Sequence, residues 1–175
     1  MVEIATLMIL TVFPLCMVFA TFYDIFTMTI PNRITLALIV AFLIAAPLAG
    51  MGMMTMLWHV GVAIAVLVVG FLLFNLGVMG GGDAKLLAAS ALWFGTAFTL
   101  PYLLAASVLG GVLTLVIVLL RLSSLPNFLK SVGWISRLHD KKHGIPYGAA
   151  LGPAALFVFL GSPWMTFISS GQAIS

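Results

Sequence analysis

The sequence predicts an all-α fold: a polytopic integral membrane bundle of about six hydrophobic helices, with a short fourth helix preceded by a glycine-rich break. Three observations predict it. Hydrophobic residues make up 63% of the chain and charged residues only 6%; several uncharged runs are long enough to cross a hydrocarbon core; and the charged residues are confined to short connecting segments. Ordinary soluble domains carry about a quarter charged residues. Seven Lys and Arg with four Asp and Glu cannot cover a surface that faces water on every side. Membrane lipid is therefore an expected partner, and residues 1–175 read as a single domain. The net charge of +3 is scattered with no basic stripe, so nucleic acid is not an expected partner. Cys16 is the only cysteine, which excludes an intramolecular disulfide and a zinc ribbon.

The first span is residues 4–23, a run without formal charge that covers about 30 Å at 1.5 Å per residue. Glu3 stands where a signal peptide has bases, and no small-residue cleavage site follows, so this span is expected to be retained. Residues 34–82 again hold no formal charge, too long a run for one helix. Pro47, Gly50 and Gly52 mark a turn within it, giving a second span at about 34–49 and a third at about 57–76. The next uncharged run, 86–120, is interrupted by Gly95, Thr96 and Pro101. It divides into a short helix, about 84–94, and a full span, about 98–120. The last span is expected at about 147–168. The fourth helix is too short to span unaided, so the Gly77 to Gly82 backbone before it must be buried in protein or line a cavity.

Alternating topology places Arg33, Lys85, Arg121, Lys130, Arg137, Lys141 and Lys142 on one side, which the positive-inside rule makes cytoplasmic. Both termini are then outside. Residues 121–146 form the one sizeable cytoplasmic loop, with an interfacial amphipathic helix expected around 128–138 because Phe128, Val132, Ile135 and Leu138 recur at helical spacing.

Asp24 and Asp83 are the two acids that abut hydrophobic spans on that side. An ionisable group at membrane depth is costly and is by default a functional-site hypothesis. Each has a structural alternative of equal weight when taken singly: Asp24 as an interfacial residue, Asp83 as a helix N-cap. Together, with Gly80, Gly81 and Gly82 ahead of one of them, they favour chemistry. Two adjacent carboxylates share one proton, so that one acts as base and the other as acid. Such a pair can deprotonate an attacking water and hydrogen-bond the carbonyl oxygen it attacks, with no metal or other cofactor.

Gly80, Gly81, Gly82 and Asp83 fit the GxGD signature of intramembrane aspartyl proteases, and Ala84, Lys85, Leu86 and Leu87 continue it as in type IV prepilin peptidases. Asp24 followed by Ile30, Pro31 and Asn32 resembles the first-aspartate segment of that family, and Ile145, Pro146, Tyr147 and Gly148, with Gly152 and Pro153, resemble its Pro-Tyr-Gly segment. The resemblance implies that Asp24 and Asp83 are the catalytic dyad, that Gly80, Gly81, Gly82, Lys85, Pro31, Asn32, Pro146, Tyr147 and Gly148 shape the site or bind substrate, and that the partner is a prepilin. It implies cleavage of the prepilin leader at the cytoplasmic face of a bacterial inner membrane. Many members also methylate the new N-terminus through an added segment with a cysteine-rich zinc loop. Cys16 stands alone, and the chain is similar to the short form serving Tad/Flp pili, so peptidase without methyltransferase activity is expected.

Several residues carry a second reading. Lys85 lies about 200° around a helix from Asp83 and is expected to snorkel to the interface. Asn32 is equally a turn residue after Pro31. Met51, Met53, Met54 and Met56 resemble a thioether cluster but are also ordinary filler. His139 and His143 are spaced for a metal if helical, yet beside Lys141 and Lys142 they better suit a basic loop facing anionic lipid. His59 reads as an interfacial or packing residue. The competing function from another class is a small proton-coupled transporter or channel subunit, and a third is a non-catalytic scaffold. A transporter usually shows paired broken helices in repeated halves, and this sequence shows one broken element.

Overall fold

The computed structural model describes residues 2–171 and 174, all of whose regular structure is helical. Eight helices follow in order: α1 (Val2–Thr27), α2 (Asn32–Leu48), α3 (Met53–Asn75), α4 (Gly81–Leu122), α5 (Asn127–Lys130), α6 (Gly133–His139), α7 (Gly148–Phe159) and α8 (Pro163–Ser170). The expected helical membrane bundle is thus present, but the count differs from six. Three described helices, α1, α3 and α4, are long and apolar enough to cross a membrane, and α7 with α8 makes a fourth only if their 43° bend is taken as one broken span. At 17 residues, α2 is apolar but short.

Apolar residues surround each long helix, so burial rather than hydropathy distinguishes its faces. On α1 the inward stripe is Ala5, Ile9, Phe13, Met17, Ala20 and Asp24, at steps of three and four, while Leu7 and Phe19 stay more than 60% exposed. Large apolar residues left bare in this way are what a lipid-facing surface requires.

The 42-residue α4 is not one rod. Gly95 adopts φ 58° and ψ −159°, a non-helical geometry essentially restricted to glycine. Across this break the chain folds back: Thr99 Oγ1 donates to the Ala91 carbonyl at 3.4 Å, and the Phe94 and Tyr102 rings lie 5.0 Å apart. Residues eight apart in a straight helix are separated by about 12 Å. The short arm 81–94 and the long arm 96–122 therefore correspond to the short helix and the full span expected from Gly95, Thr96 and Pro101. The short arm is the centre of the bundle, buried continuously from Asp83 to Phe94 except at Lys85.

Around the reversal an aromatic cluster closes the end of the bundle remote from the carboxylates. Phe13 stacks on Phe159 at 4.5 Å and Trp93 lies 4.9 Å from Trp164. The two buried indoles are satisfied, Trp93 Nε1 by the Leu38 carbonyl at 3.0 Å and Trp164 Nε1 by the Trp93 carbonyl at 2.6 Å. His59, expected to be a packing residue, stacks on Phe42, bonds the Leu92 carbonyl through Nδ1 at 2.8 Å, and fills the space a side chain at Gly95 would take.

Two local expectations need correction. The helix expected around 128–138 is two short ones, α5 and α6, separated at Ser131 and Val132. His139 ends α6, so His139 and His143 do not share a helical face: His139 Nε2 meets the Ser123 carbonyl at 2.8 Å and His143 Nδ1 meets Asp140 at 3.1 Å. The Lys142 backbone N–H holds the exposed Asp140 carboxyl below its usual range. Of the methionines, Met51 is buried whereas Met53 and Met54 are exposed, so they face different surroundings.

Arg121 fastens the polar loop to the end of α4, donating to the carbonyls of Leu138, His143 and Gly144. Arg137 donates to the Phe26 carbonyl, and Phe26 meets Trp134 edge-on at 5.4 Å, which docks α6 on the end of α1.

Gly95→Ala is expected to destabilise the protein by more than about 1 kcal/mol, because Ala must adopt positive φ while its Cβ collides with His59; the check is thermal unfolding in detergent. Tyr102→Phe is expected to act oppositely. Ser90 gives the buried hydroxyl only a contact that falls short of hydrogen-bond geometry, so its removal preserves ring packing and leaves stability unchanged or higher by about 1 kcal/mol.

Candidate active site

Asp24 lies in the last turn of α1 and Asp83 in the first turn of α4, so each helix end delivers one carboxylate to the same end of the bundle. Both are buried, at 4% and 8% exposed. The two are close enough to feel each other's charge. A buried carboxylate without a countercharge is expensive, yet no base lies within salt-bridge distance of either among the described residues. Lys85, the nearest base in sequence, is exposed and donates to Asn32 Oδ1 at 3.1 Å, as its position two residues past Asp83 leads one to expect.

Backbone N–H groups take the place of a cation. The Gly148 N–H, at the start of α7, donates to Asp24 Oδ2 at 2.7 Å. The same N–H also lies near Asp83, and the Ala149 N–H lies near Asp24. Helix N-termini present such unpaired donors toward negative charge. Asp83 is the third residue of α4 and its carboxylate turns back toward Gly80, the N-cap, as an acid at that position does in a capping box. The capping role is therefore real for Asp83, and it coexists with the proximity to Asp24.

The glycines are explained by what presses on them. A Cβ on Gly148 would stand 2.9 Å from Asp24 Oδ2 and 2.9 Å from Ile30 Cδ1, and one on Gly82 would stand 3.2 Å from Ile30 Cβ. On Gly80 it would fall 2.8 Å from Asp83 Oδ2, and on Gly81 it would meet the Phe74 ring at 3.4 Å. One turn beyond Gly148, a Cβ on Gly152 would collide with Thr21 Oγ1. Gly148 and Gly152 thus form a small-residue seam that lets α7 lie against the backbone of α1.

Pro31 is the N-cap residue of α2 and Asn32 its first helical residue, so this pair turns the chain after Asp24 and seats Ile30 between Gly82 and Gly148. Pro146 is buried in the approach to α7, and the Tyr147 ring lies against Gly110 on the long arm of α4, where a Cβ would stand 3.6 Å away. Every residue expected to line or shape the site is therefore at this end of the bundle, though Lys85 and Asn32 pair at its rim. Ile30, Thr21 and Gly152 are the supporting contacts that sequence reading did not assign to the site. Ile30 and Gly152 fall within the two motif segments, which give them no role of their own, and Thr21 falls outside them.

Residues 11–115 match the model of the type IV leader peptidase family. This stretch holds Asp24, Pro31, Asn32, Gly80 to Asp83 and Lys85, and stops short of the Pro146 to Gly148 segment. Comparisons with curated proteins and with solved structures give no match. With more than half of its length matched, and a helical bundle holding two buried carboxylates at one end, the chain belongs to the type IV leader peptidase family.

Proposed function

We infer that this protein is an aspartyl endopeptidase that removes the leader of type IV, Flp-like prepilins at the cytoplasmic face of a bacterial inner membrane, using Asp24 and Asp83 as one water-activating unit. One observation carries the reading: two buried carboxylates from different helices converge, with no cation beside them among the described residues, on the N–H groups that open α7. Structural carboxylates at such depth are normally paired with a base.

The chemistry follows from the shared proton. The ionised carboxylate removes a proton from a water whose oxygen bonds to the scissile carbonyl carbon; the protonated one hydrogen-bonds the carbonyl oxygen as it gains charge. The tetrahedral intermediate then breaks its C–N bond, and the departing amine takes up a proton from the pair. The two acids titrate together, so the proton belongs to the pair rather than to one of them. The Gly148 N–H holds Asp24 in place, and Ile30 holds Gly148 and Gly82 at their spacing. Lys85, Arg121 and Arg137 lie at this same end of the bundle, in keeping with a cytoplasmic orientation.

Two predictions follow from these assignments. In cells co-expressing a Flp-type prepilin, the wild-type protein is expected to shift the substrate's mass by the leader, while Asp24→Asn and Asp83→Asn each slow cleavage by about 10²–10⁴-fold or more, the usual contribution of general acid–base groups. Persistent cleavage by either variant at the wild-type rate overturns the dyad and favours a scaffold or proton-relay role for that residue. Gly148→Ala keeps both carboxyls but displaces Asp24. Misplacement of about 1 Å costs about 10²-fold, so a rate loss of at least tenfold, with normal membrane insertion, is the expected result in the same mass assay.

A further inference from the structure

Between α3 and the long arm of α4 lies a groove of about 650 Å³ whose floor is Leu87 and Leu151. Its α3 wall includes Val66, Gly70 and Leu73, at steps of four and three. Its α4 wall includes Leu103, Ser107, Gly110 and Thr114, at steps of four, three and four. Both walls thus present one helical face each, and the α4 wall runs for about three turns, roughly 16 Å. No charged residue lines it, and Val69 and Ser107 on its rim are exposed to the outside of the bundle.

The groove adjoins the candidate active site through residues next to it, while neither carboxylate lines it. Leu87 lies one turn past Asp83 on the short arm, and Tyr147 immediately precedes the Gly148 that binds Asp24. Gly70 packs against Ala84, where a Cβ would stand 3.0 Å from the Ala84 Cβ, so the α3 wall touches the helix turn that carries Asp83. From Leu103 to Thr114 the long arm runs toward the carboxylate end, because Tyr147 meets it at Gly110 and Arg121 fastens the polar loop beyond it.

We propose that this groove holds the apolar helix of the substrate, lying lengthwise between α3 and the long arm of α4 with its N-terminal end at Asp24 and Asp83. The inference rests on the peptidase reading above and adds the place where the substrate's membrane segment binds. Small residues at a membrane helix interface let backbones approach closely, and Gly111, with nothing within 4 Å of a Cβ, supplies an open one on the α4 wall. An apolar helix is the occupant that matches helically spaced, uncharged walls. It also leaves a leader at its N-terminal end outside the groove, where the chain must cross the two carboxylates.

Gly111 and Gly61 make a matched test. Both sit in membrane-length helices with nothing within 4 Å of a Cβ, but Gly111 lines the groove and Gly61, on α3, does not. Trp at either position is therefore compatible with the fold, which thermal unfolding verifies. In purified protein acting on a Flp-type prepilin, Gly111→Trp is expected to lower kcat/KM at least tenfold, chiefly by raising KM, while Gly61→Trp cleaves as wild type does. A second measurement uses Ser107→Cys with Cys16→Ala and Asp83→Asn, so that substrate stays uncut; a single cysteine in the prepilin's apolar helix is expected to form a disulfide with it. Normal cleavage by Gly111→Trp, with no disulfide at Ser107→Cys, overturns the groove and assigns it to lipid, leaving the peptidase reading intact. Equal loss in both Trp variants also overturns it. A wild-type protein that cleaves no prepilin removes the peptidase reading itself, and the groove assignment with it.

Discussion

A carboxylate buried without a cation is the constraint on which this bundle turns. Asp24 sits at 4% exposure with no base in reach among the described residues, and its compensation is the Gly148 N–H at 2.7 Å. That bond exists only if the start of α7 can touch the end of α1. The contact demands glycine at 148, where any Cβ meets Asp24 and Ile30, and again at 152, where it meets Thr21. The Pro146 turn, the seam between α7 and α1 and the seating of Ile30 are all consequences of satisfying one acid with backbone donors instead of a base. A lysine partner would be a simpler way to bury Asp24, but it would hold the acid permanently ionised and unable to share a proton with its neighbour.

Asp83 meets the same constraint differently. Its short arm is surrounded by protein, with Ala84, Ala88, Ala89 and Ala91 letting neighbouring helices close on it. The reversal at Gly95 returns the long arm alongside the short one, so the acid is delivered on a helix too short to span alone yet held along its whole length. Rigidity at the carboxylates therefore comes from the centre of the bundle. α3 is the contrast: Gly70 is its one buried residue, and it packs chiefly on α4.

Much of this was legible because charges are so scarce. With only four acids in the chain, two beside hydrophobic spans stand out, and Gly80 to Gly82 beside Asp83 mark a backbone that something approaches. Gly95, Thr96 and Pro101 announced the chain reversal, since glycine and proline act locally and their effect is visible in sequence. What stayed hidden is the consequence of long-range packing. Nothing local distinguishes Ile30 from any other apolar residue, and Thr21 and Gly152 gain meaning only when α7 is laid on α1. The split between α5 and α6 escaped a reading based on periodicity, because Phe128, Val132, Ile135 and Leu138 keep helical spacing across a break at Ser131 and Val132. The bend between α7 and α8 had a usable signal in Gly161 and Pro163, outweighed by the continuous hydropathy on either side.

The groove proposed for the substrate's apolar helix must compete with lipid for it. A helix embedded in lipid gains little hydrophobic energy by moving to a protein groove, because lipid tails are as apolar as the groove. Recognition must then come from close packing and from what the substrate presents at the membrane surface. Gly111, open on the α4 wall, allows the first, and Lys85, Arg121 and Arg137 at the rim of this end of the bundle offer polar contacts for the second. Asp24 is seated by Gly148, Ile30 and Gly82, none of which lies on α3, so the groove's α3 wall is separate from the contacts that hold this acid.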